Sequence, residues 1–355
     1  MSKKIINIED LQREAKNYDG VLRALPFFNL DELRSVMGVN ILDQQGEDVL
    51  TNRRRVGALI GAYTQGKIDY NDELGKIVEM SLKPELVYAA LRDNILNYKD
   101  KKVVGQAIAS PDNKTKVHPL EQLILEDVVR TVGEDILFSF FFGERDDSVK
   151  SPMTAFTGIF PLLDVFITKG AISASEKNLK TTGAFTAPAA ENDTDAYQKA
   201  VEFLIAADPL LKRGGAMLYY TNDWLRKVKL AYMNLVKHQK VTNADVFDAL
   251  RDDANFVGLK PVTHEAYGTG DKLMVIKPGL LDLGMDTKSA SQYVQVRNIF
   301  EDPNEVQYWN QFGVGTRIRD IHRKVLLINE QQNSAAALSG DYIATTTQSQ
   351  EGAGE

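Results

Sequence analysis

The sequence predicts an α+β fold, and three stretches of its 355 residues carry the prediction. One is a long helix pattern from Pro119 to Gly143, one is a segment of alternating helix and strand signals after residue 195, and one is a strand-rich stretch from Tyr293 to Asn329. In the first, Leu120, Ile124, Val128, Val132, Ile136 and Phe140 recur beside Leu125, Val129, Leu137 and Phe141, which makes one apolar stripe. Glu121, Glu126, Arg130 and Glu134 take the other side, so the helix is half buried. Pro119 suits a first helical position, where a missing N–H costs nothing, and Gly143 suits the left-handed residue that ends a helix.

The other elements follow in order. Residues 1–38 read as an N-terminal arm: short helical patterns at Glu9–Tyr18 and Leu30–Met37 are broken by Gly20 and Pro26. Residues 39–80 are polar, with Gly46, Gly57, Gly61 and Gly66 and the run KIDYNDELGKIVEMSL, and predict a long hairpin or extended loop. Residues 81–118 give short strand or helix signals, among them ELVYAALRDNIL. Beyond the long helix comes a second apolar segment, Thr157–Lys169. The polar loop ISASEKNLKTTGAFTAPAAENDTD that follows it is a candidate domain boundary.

Residues 195–286 then predict a helix at Ala196–Ala207, a strand at Ala216–Tyr220, a helix at Asn222–Lys237 and another from Asn243. Strands are expected around Val257–Val262 and Leu273–Ile276, and the alternation indicates a mixed α/β domain. In the closing stretch Val294, Val296, Val314, Ile318, Val325 and Leu327 stand among turn residues. The tail at 334–355 is rich in Ser, Thr, Ala and Gly and is expected to be disordered.

Composition narrows the function classes. A chain that is 43% hydrophobic and 26% charged has an ordinary globular balance. Without cysteine it has no disulfide framework, thiolate metal site or cysteine nucleophile. The longest apolar run, Ile136–Phe142 interrupted by Ser139, is too short to span a bilayer, so no membrane partner is expected. The N-terminus meets Glu9, Asp10 and Glu14 where a signal peptide needs its apolar segment, which predicts a protein made and used without export. A net charge of −7 argues against the bulk basic footprint of a phosphate-gripping protein while leaving room for a local basic face. Arg53, Arg54 and Arg55 are the densest basic spot and the candidate intersubunit contact, against the plainer reading of a solvated patch.

Catalytic, cofactor and metal signals are weak, and none is assigned. Gly61-Ala-Tyr-Thr-Gln-Gly66-Lys67 begins like a phosphate-binding loop, but Ile68 stands where Mg²⁺ needs Ser or Thr. Gly313-Val-Gly315 lacks the third glycine of a dinucleotide fingerprint and reads as a turn or bulge. His118, His238, His264 and His322 are scattered without ligand spacing, and each is expected to be exposed or hydrogen-bonded. On a strand, His264 and Glu265 would face opposite ways. Glu144, Asp146 and Asp147 lack the spacing of a Ca²⁺ loop and read as solvated or paired with Arg145 and Lys150.

In this order, FFFGERDDSVKSPMTAFTGI, AMLYYTNDWLRKVKL, GDKLMVIKPGLLDLGMD and FGVGTRIRDIHRKVLLIN resemble segments of the major capsid protein of tailed bacteriophages, the Hong Kong 97-like fold. The second resembles that family's strand-then-helix step, with a polar Asn or Asp capping a helix that carries Trp. The resemblance covers most of the chain. It implies an N-terminal arm at 1–38, an extended loop at 39–80, a peripheral domain with a long spine helix at 81–194 and 287–333, and an axial α/β domain at 195–286.

The function so implied is structural: copies associate into pentamers and hexamers of an icosahedral head, a virion component assembled in the host cytoplasm. The partners implied are the chain itself, a portal protein, and packaged double-stranded DNA at the inner face. Scaffolding, protease and decoration proteins, where used, would be separate chains, because the N-terminal portion is too short to hold a fused scaffold. No cross-link is assigned. The rival readings are an encapsulin-like nanocompartment shell and a nucleotide-dependent enzyme built on Lys67.

Overall fold

The computed structural model describes residues 30–43, 46–54, 76–94, 120–148, 151–237, 240–286, 295–298 and 305–335. The elements, in order, are α1 (Asp31–Ser35), β1 (Asn40–Asp43), β2 (Asp48–Arg54), β3 (Lys76–Leu82), β4 (Glu85–Asn94), the long helix α2 (Leu120–Phe142) and α3 (Ile159–Thr168). They continue with β5 (Leu179–Lys180), α4 (Asp195–Ile205), α5 (Pro209–Arg213), β6 (Ala216–Tyr219), α6 (Asn222–Val236), α7 (Asn243–Asp253), β7 (Leu259–Val262), β8 (Thr269–Gly270) and β9 (Met274–Ile276). The chain closes with β10 (Leu281–Asp286), β11 (Gln295–Asn298), β12 (Glu305–Ile318), β13 (Leu326–Asn329) and β14 (Asn333–Ser334). The architecture is therefore α+β. The Glu9–Tyr18 pattern, all of 95–119 and the tail beyond 335 lie outside the described residues.

One sheet runs β5-β13-β9-β6-β7, and its three inner strands are buried on both faces. Met217, Tyr219, Met274, Ile276, Leu326 and Ile328 enter one core, with Phe140, Phe141 and Ile136 of α2 and Phe160 and Leu163 of α3. Ala216, Leu218, Val275 and Leu327 alternate with these and enter a second core, with Phe203 of α4, Trp224 and Val228 of α6 and Leu250 of α7. The two-residue period of a strand thus builds a three-layer body from one sheet, and explains why these strands read as nearly continuous apolar runs. β13 reaches this sheet from after residue 287, between β5 and β9.

The second sheet runs β1-β10-β12-β11, and β4 also pairs with β12. β12 is its axis: ten register positions of β4 lie along 305–314, while β10 takes 313–318. Leu281, Leu283, Met285, Val314 and Ile318 face the first core, joining the two sheets through one apolar interior. β2 and β3 form a separate two-stranded ribbon, Asp48 opposite Leu82 and Arg54 opposite Lys76. Within the 39–80 stretch, read as a long hairpin or extended loop, β2 and most of β3 are thus paired antiparallel, and residues 55–75 between them lie outside the described residues.

Three local expectations need correction. Gly143 ends α2 without a left-handed conformation. What requires glycine is space, since a Cβ there would stand 2.3 Å from the Phe156 carbonyl oxygen and 2.8 Å from that of Ser139. Gly313 and Gly315 make neither turn nor bulge; both sit in continuous β12, Gly315 opposite Gly284. Nor does an Asn or Asp cap α6. Thr221 does, its hydroxyl accepting the Trp224 N–H at 3.1 Å.

Candidate assembly surfaces

The segment after α2 folds back on the helix end. The Ser139 hydroxyl donates to the Asp135 and Pro152 carbonyls, and Gly158 N–H donates to the Gly143 carbonyl at 2.7 Å. A Cβ on Gly158 would meet Gly143 N and the Ser139 carbonyl oxygen, both at 2.8 Å. Glu85 at the start of β4 accepts the Thr157 N–H at 2.8 Å, and Thr316 of β12 donates to the Thr157 carbonyl at 2.7 Å. The helix exit, β4 and β12 are locked into one corner.

The ribbon β2/β3 is seated on the reverse face of the second sheet, where Asp282, Gly284, Gly313, Gly315 and Arg317 replace the apolar alternation of the inner face. Glycine is needed here for close approach. A Cβ at Gly284 would stand 2.7 Å from the Leu82 side chain, and one at Gly315 would stand 2.7 Å from the Lys83 carbonyl oxygen.

Beside this floor lies a buried ionic cluster. Arg317, 2% exposed, places Nη2 2.7 Å from Asp282 Oδ2 and Nη1 2.8 Å from Asp48 Oδ2 at the ribbon's root. Arg319 Nε lies 2.7 Å from the other Asp282 oxygen, and Asn40 of β1 donates to that oxygen at 2.9 Å. Asn52 of β2 donates to the Arg319 carbonyl. Asp282 thus has a donor for each oxygen, the condition for burying a carboxylate tolerably. Sequence reasoning missed this cluster. The available signal was Arg317 and Arg319 on either side of Ile318 where β12 ends, a two-residue spacing that puts both on one face of extended chain.

Two of the three sequence-predicted contact residues, Arg53 and Arg54, sit at the ribbon's outer end. Arg53 lies opposite Ile77 and Arg54 opposite Lys76. Their side chains, and Arg55 entirely, lie outside the description. Nearer the body, β4 turns Leu86 and Tyr88, 61% and 57% exposed, to one face. Arg145 lies beside them and is paired with Asp147 at 3.0 Å, so the acidic run after α2 is in part a local ion pair. The Asp146 carboxyl is held below its usual range by the Ser148 hydroxyl and N–H.

The rival sites bring little together. Gly61–Lys67, His118 and His238 lie outside the described residues. His264 Nδ1 accepts the Ala266 N–H at 3.0 Å and His322 Nδ1 the Lys324 N–H at 3.2 Å, so both are held by backbone. Among the described residues no three His, Cys, Asp or Glu side chains could together hold a metal ion, and no helix is long and apolar enough to cross a membrane. Burial pushes the Tyr219 and Tyr267 hydroxyls above the ordinary phenol range and the Lys272 ammonium below its own. The Lys272 Nζ lies 5.2 Å from the centre of the Phe160 ring, within the core. All three side chains are buried.

The geometry defines a class: an α+β body hung on one long helix, with a ribbon rooted by buried charge and an edge carrying exposed apolar side chains. No family model matches the chain. No curated protein matches it either. Among solved structures it is similar to the satellite phage P4 procapsid including size determination protein, with 11% identity, a TM-score of 0.47, and 82% of this chain and 92% of that one covered. It is also similar to the capsid of an empty GTA particle, with 13% identity, a TM-score of 0.48 and 85% and 89% covered. A cyanophage A-1(L) capsid gives 13% identity, a TM-score of 0.48 and 84% and 91% covered.

Proposed function

We propose that the chain is the major building block of an icosahedral phage-type head, associating into pentamers and hexamers around packaged double-stranded DNA. The observation that carries the reading is the ribbon β2/β3. It pairs with no other strand among the described residues, yet its root is fixed by Asp48, Arg317 and Asp282 with the guanidinium 2% exposed. Fixing a two-stranded extension so firmly makes physical sense when its outer end, with Arg53 and Arg54, must meet a neighbour in one register. The exposed pair Leu86 and Tyr88 supplies apolar area of the kind that association removes from water.

In this reading the parts are the arm at 1–38, the extended loop at 39–80, the peripheral domain at 81–194 and 287–333, and the axial domain at 195–286. Heterologous contacts close copies into rings, and obligate contacts above about 2,000 Å² each supply the free energy. The net charge of −7 keeps free subunits soluble. A portal and separate scaffolding, protease or decoration chains complete the head. Electron microscopy of the expressed protein, alone and with a scaffold, tests the reading: closed or tubular walls of uniform thickness are expected. A dilution-insensitive monomer under all conditions would overturn it, and Mg-ATP binding lost in Lys67→Ala would favour the enzyme instead.

A further inference from the structure

The three helices over the second core carry two outward stripes of opposite sign. On α4, Asp195, Gln198, Glu202 and Ile205 recur at three- and four-residue steps and all are exposed, Ile205 by 53%. On α6, Arg226, Leu230 and Met233 recur in the same way and Lys237 follows at the helix end; Arg226 and Lys237 are exposed, and Leu230 is 41% exposed. Each stripe is about 15 Å long at 1.5 Å per residue. Each joins charges of one sign to a large aliphatic side chain in water.

The stripes are not each other's partners within one chain. α4 and α6 already meet through other faces, where the Tyr197 and Tyr232 rings touch at a tilt with 5.0 Å between their centres. Glu202 and Lys237 form no ion pair among the described residues, and the pairs that Asp195 makes with Lys199 and Arg226 with Asp223 are local to their own helices. A polyanion would be repelled by the α4 stripe and a polycation by the α6 stripe. One partner presents both complements at matched length, a second copy of the chain. We propose that the α6 stripe of one copy docks on the α4 stripe of the next, with Leu230 meeting Ile205 between flanking opposite charges. The proposal rests on the shell reading and adds a specific contact to it.

Reciprocal charge reversal tests this by sedimentation and electron microscopy over a concentration series, with circular dichroism to verify folding. Arg226→Glu with Lys237→Glu, and separately Gln198→Lys with Glu202→Lys, should each keep the native spectrum and raise the concentration needed for assembly by more than about tenfold. All four substitutions in one chain should restore assembly. An equimolar mixture of the two double variants should restore six-membered rings but not five-membered ones, because only an even ring can alternate the two chains so that every contact is complementary. Double variants that assemble like wild type, or a quadruple variant no better than either double, would overturn the contact alone. A wild-type chain that never assembles would remove the shell reading and this contact with it.

Discussion

Glu330 shows how one side chain ties distant chain segments together. Burial works to raise its pKa, but backbone N–H donors outweigh it, Thr182 at 2.9 Å and Gly183 at 2.7 Å, and the carboxyl is held below its ordinary value. A depressed folded pKa gives stability that is fully present above the unfolded value, about 4.3, and is lost as pH falls through the folded pKa. Glu330→Gln should therefore lower the melting temperature at pH 7 and flatten its decline below about pH 4.5, which melting curves across pH will show. Arg317 is a harsher case. Arg317→Met leaves Asp282, 0% exposed, with fewer donors and should cost about 3–5 kcal/mol in denaturant unfolding. Replacing Asp282 and Arg317 together by apolar residues should cost less than the two single changes summed.

At the scale of elements, the ribbon and β4 separate folding from association. Arg53→Glu and Arg54→Glu, at the outer end of β2, combined with Arg55→Glu, should leave the far-ultraviolet spectrum unchanged and weaken or abolish particles, since like charges would meet at the contact. Particles forming normally would remove the role proposed for these arginines. Leu86→Asp with Tyr88→Asp should likewise spare the monomer, both side chains being more than half exposed, and lower the assembled fraction in sedimentation. The sequence showed the helical elements clearly: α2, α4, α6 and α7 lie within two or three residues of the positions that apolar period and capping predict. It misjudged Gly313 and Gly315 because a glycine needed for another segment's close approach has the same sequence signature as one needed for a turn.

For the whole molecule, the first sheet couples the two cores. Its strands send alternate side chains into each, so neither core survives loss of the other, and unfolding should be one transition. Phe141→Ala, in the aromatic cluster with Tyr267 at 5.2 Å, should cost about 3–5 kcal/mol and shift that transition intact, by fluorescence and circular dichroism alike. An excised 195–286 segment should fail to fold alone, because β13 lies between β5 and β9 and comes from beyond its end. A sharp melting transition in the excised segment would contradict this coupling.

What the sequence by itself determined is local: the α+β class, the long helix with its apolar stripe, the order of helix and strand after residue 195, and the weakness of any catalytic or metal motif. Those properties follow from periodicity and spacing, which need only neighbours a few residues apart. The tertiary structure alone decided which distant segments meet. Asn40 and Asp48 reach Asp282, Arg317 and Arg319 across more than 230 residues, β13 enters the sheet of β6 and β9, and Glu85 closes on the helix exit. Each such meeting depends on long-range pairing that one-dimensional pattern does not encode, because two segments equally suited by composition are distinguished only by the space left when the rest of the chain has packed.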